Sequence, residues 1–261
     1  MTRRLKRSRD YEIVLEVQDH FITPPRASQR NWLLNRQVRE FSDELEHCNT
    51  LAARMVTGCD PQLTERGQGE LDDDNVMEDW QIPVMKKMAE LVTARQGDVL
   101  EIGFGRGIAS TFVQENSPKS HTIVECNDSI VNRFQTWREG FPNRTFKLIH
   151  GMWQDRVSDL EMYDGILFHT YPLNEGEFVE QVARSVTFAE HFLVTAAALL
   201  RPGGVLTYLT SEIDSISRAH QRLLFQHFSS FSLQLIQNLE IPEDTKDALW
   251  CDSTVVIQVV K

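Results

Sequence analysis

At 261 residues, 41% of them hydrophobic and 25% charged, the chain is sized for one large α/β domain or a core domain with a helical appendage, and its composition excludes a mostly disordered chain. A formal net charge of -11 argues against a nucleic-acid partner, because tracking phosphates takes clustered Lys and Arg. No run approaches the roughly 20 apolar residues that span a bilayer, and the N-terminus lacks a signal-peptide pattern, so a cytoplasmic protein with no membrane partner is expected.

In chain order, the basic run "TRRLKRSRD" reads as a solvated tail. From Gln29 to about Gly58, apolar residues recur at three- and four-residue steps, predicting one or two amphipathic helices. "GCDPQLTERGQGELDDDN" then reads as an acidic linker. Residues 1–75 are thus expected to form an N-terminal helical lid with its linker, serving as a lid, a homodimer contact or both. A further helix is predicted in "VMEDWQIPVMKKMAELVTARQ", where Pro83 is tolerated only near the start.

From there strands and helices alternate: "DVLEIGF", then helix "GRGIASTFVQEN", then "HTIVECN", then helix "DSIVNRFQTWREGF". "FKLIHGMW" and "YDGILFHTY" add two strands, residues 180–204 a long helix, and "GVLTYLTS" a fifth strand. A helix at "RAHQRLLFQHFSSF" precedes a closing pair of strands, "FSLQLIQNLEI" and "CDSTVVIQVV". Near-continuous apolar strands separated by helices predict a mostly parallel seven-stranded sheet covered on both faces, Rossmann-like, with an antiparallel edge, spanning 76–261. Cys48, Cys59, Cys126 and Cys251 form no CxxC pair and have no His at ligand spacing, so no metal is expected.

Open α/β sheets bind ligands outside the carboxyl ends of their strands, which directs attention to the strand tips. At the first, Gly103 and Gly105 remove Cβ atoms where the chain turns and a ligand can approach the backbone. Glu101, just before them, suits the ammonium of an amino-acid moiety and would repel a pyrophosphate. At the second tip Glu125 can accept from both hydroxyls of a ribose, with Cys126 and Asn127 following it. At the third, Gly151, Met152 and Trp153 offer apolar surface and backbone amides to an adenine ring; Phe168 closes the set. Together the tips describe a site for S-adenosylmethionine.

The strings "VMEDWQIPVM", "VLEIGFGRGIA", "IVECND", "GMWQD", "YDGILFHTYPL" and "LLRPGGVLTY" occur in the order and spacing of guanidinoacetate N-methyltransferases. The resemblance covers about Val76 to Tyr208 and implies a class I methyltransferase that uses S-adenosylmethionine. It places Glu101 and the glycines near the methionine part, Glu125 on the ribose, and Met152 with Trp153 near the adenine. The family also holds its acceptor's guanidinium between two carboxylates, at positions where this chain has Gln81 and His169.

Neither residue can neutralise a buried guanidinium, and breaking such a pair costs about 3 to 5 kcal/mol. The expected acceptor is therefore a small molecule of specialised metabolism other than guanidinoacetate, methylated on nitrogen or oxygen. His169 would be the base and Tyr171 would orient the acceptor, with Trp80, Gln81, Thr210 and Ser211 around it. Two alternatives stay open: an enzyme that cyclises S-adenosylmethionine to azetidine-2-carboxylate and methylthioadenosine, and a non-catalytic binding protein.

Overall fold

The computed structural model describes residues 3–6, 12–15, 71, 73–178, 181, 185–210, 216–242 and 253–261. The chain divides into two compact units, Met1–Ala53 and Arg54–Lys261. In the first, strands β1 (Arg3–Lys6) and β2 (Glu12–Leu15) pair antiparallel, Arg3 opposite Leu15. This corrects the reading of the basic run as a tail: charge alone hid a short strand, and Lys and Arg are common on such edges. The expected helices between Gln29 and Gly58 and nearly all of the linker lie outside the described residues.

In the second unit, a single-turn helix α1 (Asp73–Val76) and a 3-10 turn (Asp79–Gln81) lead into α2 (Ile82–Thr93), which carries Pro83 in its first turn as its missing N–H requires. Then follow β3 (Asp98–Ile102), α3 (Ile108–Glu115), β4 (Ser120–Glu125), α4 (Asp128–Arg138), β5 (Phe146–His150), α5 (Trp153–Arg156) and β6 (Tyr163–Phe168). After these come α6 (Glu175–Phe178), α7 (Glu190–Leu199), β7 (Leu200–Leu209), α8 (Arg218–Leu224), β8 (Ser230–Gln237) and β9 (Ser253–Val260).

The seven strands β3 to β9 form one sheet in the order β5-β4-β3-β6-β7-β9-β8, the Rossmann-like arrangement expected. β3, β4, β5, β6 and β7 pair in parallel, and β9 runs antiparallel between β7 and β8. Because β3 has β4 on one side and β6 on the other, the winding reverses between β3 and β6, which opens a crevice at their carboxyl ends.

Burial explains the apolar strands. In α2, Val84, Met85, Met88, Ala89 and Val92 recur at helical spacing and pack with Val99, Leu167 and Val256 on one sheet face. Gly165 permits that contact, since a Cβ there would fall 2.1 Å from Val92 O. On a second cluster, Phe192, Leu193 and Ala196 of α7 meet Ile166, Phe168 and Tyr208. Ile130 and Phe134 of α4 complete a third cluster with Phe104 and Ile123.

Two helices are shorter than expected. α3 begins at Ile108 because Gly103, Gly105 and Gly107 all adopt positive φ, which unwinds the turn before it. α7 begins only at Glu190, whose carboxylate reaches back to accept from Val186 N at 2.8 Å. It ends at Leu199, and residues 200–204 already belong to β7.

At the amino ends of the strands, Arg201 Nη1 lies 2.6 Å from Asp164 Oδ2 and 2.9 Å from Asp98 Oδ2, tying β3, β6 and β7 together. Burial raises the Asp98 carboxyl, but hydrogen bonds from Ser120, Lys119 and Arg201 outweigh it and hold the pKa below its ordinary value. Among the described residues no helix is long and apolar enough to cross a membrane.

Candidate active site

The glycine loop joins β3 to α3 at the crevice. Gly103 sits at φ 89°, and a Cβ there would fall 2.4 Å from His169 O, so only glycine lets the tips of β3 and β6 close together. His169 N donates to Ile102 O at 3.1 Å, completing the join. The loop is braced from β4 by Glu125, whose carboxylate is buried. Its Oε2 accepts from Phe104 N (2.9 Å) and, weakly, from Gly105 N (3.5 Å), while Oε1 accepts from Cys126 N (2.8 Å) and Asn127 N (2.9 Å). Four backbone amides around one carboxylate fix the turn's shape before any ligand arrives.

A cleft opens over these tips. It brings together Gly103, Glu125, Cys126, Gly151, Met152, Trp153 and Tyr171 of the residues picked from the sequence. Trp153 packs edge-on against Phe192 at 4.9 Å and beside His191 at 5.6 Å, so its ring is anchored in the core while bordering the cleft. Burial and the charge of Glu125 push the Cys126 thiol up to about 12, so it stays protonated and is no nucleophile at neutral pH.

The other picked residues that the structure describes stand outside the cleft lining. Glu101 is buried beneath the glycine loop, where Ser110 Oγ donates to its Oε2 at 2.5 Å. Gln114 Nε2 lies 3.0 Å from His121 Nδ1, and His121 Nε2 lies 2.9 Å from that same Glu101 Oε2. Glu101 Oε1 is buried with no hydrogen-bond partner among the described residues. Asn127 caps α4, accepting from Ser129 N and Ile130 N. Phe168 stacks on Phe192 at 4.6 Å within the core.

Around the expected acceptor site, Trp80 is buried and donates from Nε1 to Glu78 Oε2 at 2.6 Å, and Gln81 is half-buried at the N-cap of α2. Thr210 is buried just beyond β7, and Ser211 lies outside the described residues. His169 is partly buried, and its desolvation lowers the imidazole pKa from 6.5 to about 4. It is a neutral group at physiological pH, able to accept or donate one hydrogen bond on each nitrogen.

Sequence reasoning missed the wall between β6 and α7, where Thr170, Glu177, Gln181, Phe188 and His191 also line the cleft. A signal was available in the four-residue spacing of Glu177 and Gln181, but Gln181 fell within the stretch read as a long helix and Glu177 in the connection before it.

These features fit S-adenosylmethionine. A close backbone cradle stands at Gly103, and a strand-tip carboxylate stands at Glu125. Trp153 and Met152 border the cleft, and an unpaired carboxylate oxygen waits on Glu101 below the loop. Among the described residues no group of three or more His, Cys, Asp or Glu is placed to hold a metal.

The family model described as guanidinoacetate N-methyltransferase matches residues 58–229, more than half of the chain. The protein arginine N-methyltransferase 2 of Aspergillus oryzae is 34% identical over 158 residues, covering 54% of this chain and 38% of that protein. The protein of the same name from Candida glabrata is 34% identical over 113 residues, 39% of this chain and 27% of its own length. The chain thus spans well under half the length of these curated relatives. Among solved structures, the O-methyltransferase from Bacillus cereus in complex with SAH aligns with a TM-score of 0.48 at 16% identity, over 84% of this chain and 91% of that one. By the extent of the family match, the chain belongs to the guanidinoacetate N-methyltransferase family.

Proposed function

We propose that the chain methylates an uncharged nitrogen, or an oxygen, of a small molecule other than guanidinoacetate. The observation that carries this reading is the pair at the acceptor positions: Gln81 and a His169 that burial keeps neutral, where the family resemblance calls for two carboxylates. A guanidinium taken out of water between two neutral groups forfeits about 3 to 5 kcal/mol, or several hundred-fold in affinity. Protein arginine, named in the curated relatives, presents the same cation and meets the same objection.

Bound S-adenosylmethionine supplies an electrophilic methyl group. In this reading Glu125 and the Gly103 turn hold the nucleoside, Glu101 faces the amino-acid end, and His169 with Tyr171 orients the acceptor. A neutral amine needs no base to attack the methyl group, and the ammonium it becomes can release its proton to solvent afterwards; with its pKa lowered to about 4, His169 serves as a hydrogen-bond partner of the acceptor.

The test is product analysis of the intact chain with S-adenosylmethionine, alone and with an acceptor panel of neutral amines, heteroaromatic nitrogens, hydroxy acids, guanidinoacetate and an arginine peptide. S-adenosylhomocysteine formed only with an uncharged acceptor supports the proposal. Turnover of guanidinoacetate or the peptide overturns the acceptor class, and methylthioadenosine without any acceptor would establish the cyclising alternative.

A further inference from the structure

The far wall of the cleft holds a carboxylate that no part of the cofactor reading uses. Glu177 lies on α6, where its backbone N donates to Asn174 Oδ1 at 3.0 Å and its Oε2 accepts from Leu173 N at 2.9 Å. Those bonds pin the side chain to its loop through Oε2, and among the described residues Oε1 accepts no hydrogen bond. Among the described residues lining the cleft, Glu125 and Glu177 are the acidic ones, and neither Lys nor Arg is present. Glu125 is committed to the loop amides and, in this reading, to the ribose, so Glu177 is the acidic side chain left for another group.

Its neighbours define what it would meet. The negative charge of Glu177 is felt at Cys126, which follows the β4 tip, and at His191 on α7. Phe188 and His191 stand 5.0 Å apart between ring centroids, and Trp153 borders His191, forming an aromatic wall at that end of the cleft. A flat heterocycle packs against such a wall, and an anionic acceptor at its rim favours a ring edge bearing N–H over one bearing C=O, whose lone pairs it repels. Adenine carries a 6-amino donor; hypoxanthine carries a 6-oxo acceptor in the same place.

We propose that Glu177 reads the 6-amino edge of the cofactor's purine and makes the site selective for adenosyl over inosyl ligands. This rests on the S-adenosylmethionine reading of the cleft. Glu177→Gln is the decisive substitution, because its amide oxygen can keep the bond from Leu173 N while its NH2 group turns a donor toward the ring.

Calorimetric titration of the full chain with S-adenosylhomocysteine and S-inosylhomocysteine tests it. The unaltered protein should prefer the adenosyl ligand by about tenfold or more, and E177Q should cut that ratio by about tenfold. Glu177→Ala, which also gives up the loop bond, should weaken the adenosyl ligand with little change for the inosyl one. A ratio within about twofold of the unaltered protein's in both variants would overturn the proposal, because a loop brace alone weakens the two ligands equally. Failure of the unaltered protein to bind S-adenosylhomocysteine at all would instead remove the cofactor reading beneath it.

Discussion

Glu125 Oε2 accepts from Phe104 N at 2.9 Å, so the carboxylate at the tip of β4 grips the glycine loop of β3 across 21 residues of sequence. The same group is the expected ribose ligand, which couples loop stability to cofactor affinity. Replacing Glu125 with Ala should therefore lower stability as well as binding. Loss of charge-assisted bonds to several amides is expected to cost about 3 kcal/mol. That corresponds to a melting temperature roughly 6 to 12 °C lower in calorimetry. Unchanged affinity for S-adenosylhomocysteine would count against the ribose role.

Restoring the family's charges should restore its substrate. Gln81→Glu together with His169→Asp is expected to raise kcat/KM for guanidinoacetate by at least about tenfold over either single variant, since one carboxylate alone offsets only part of the desolvation. Methylation assays with guanidinoacetate decide this, and equal rates in all variants would show that these positions do not read the acceptor's charge.

The pH dependence has a defined sign. Burial lowers His169 from 6.5 to about 4, and His191 is pushed down by the same cause. The unfolded chain therefore takes up protons that the folded one resists, so stability falls as pH drops from about 6.5 towards about 4 and is unaffected by these groups above that window. Thermal melts between pH 7 and pH 4.5, a range set by these shifts, should show His169→Gln with a shallower decline than the unaltered protein.

Close approach of α2 to the sheet makes Gly165 irreplaceable. A Cβ there would fall 2.1 Å from Val92 O, and a backbone atom cannot swing aside. Gly165→Ala should cost about 3 kcal/mol in denaturant unfolding, at the upper end for an overpacked core.

The sheet was legible because its signals are local. Apolar runs such as "VLEI" and "GILF" mark strands buried on both faces, and glycines mark the tips where the crevice opens. Glu125 and Trp153 could be placed for that reason. Glu101 could be recognised as a carboxylate before a glycine turn, but its partner His121 depends on the register that sets Val99 opposite His121, which no local pattern encodes. Glu177 reaches the cleft from the four-residue helix α6, too short to show a period, and His191 from the first turn of α7, where the sequence marks no face as ligand-facing. The paired strands at the N-terminus were hidden by their charge.

Arg106, inside the glycine loop, donates to Met77 O at 2.9 Å and to Asp79 Oδ1 at 2.7 Å, and Arg133 of α4 lies 2.8 Å from Asp73 Oδ1. The consequence falls on anyone who shortens the chain. A fragment starting at Val76 would discard Asp73 and leave Arg133 without that carboxylate beside the cofactor loop. A fragment starting at Arg54, where the second compact unit begins, would carry the acidic stretch along as its counter-charge.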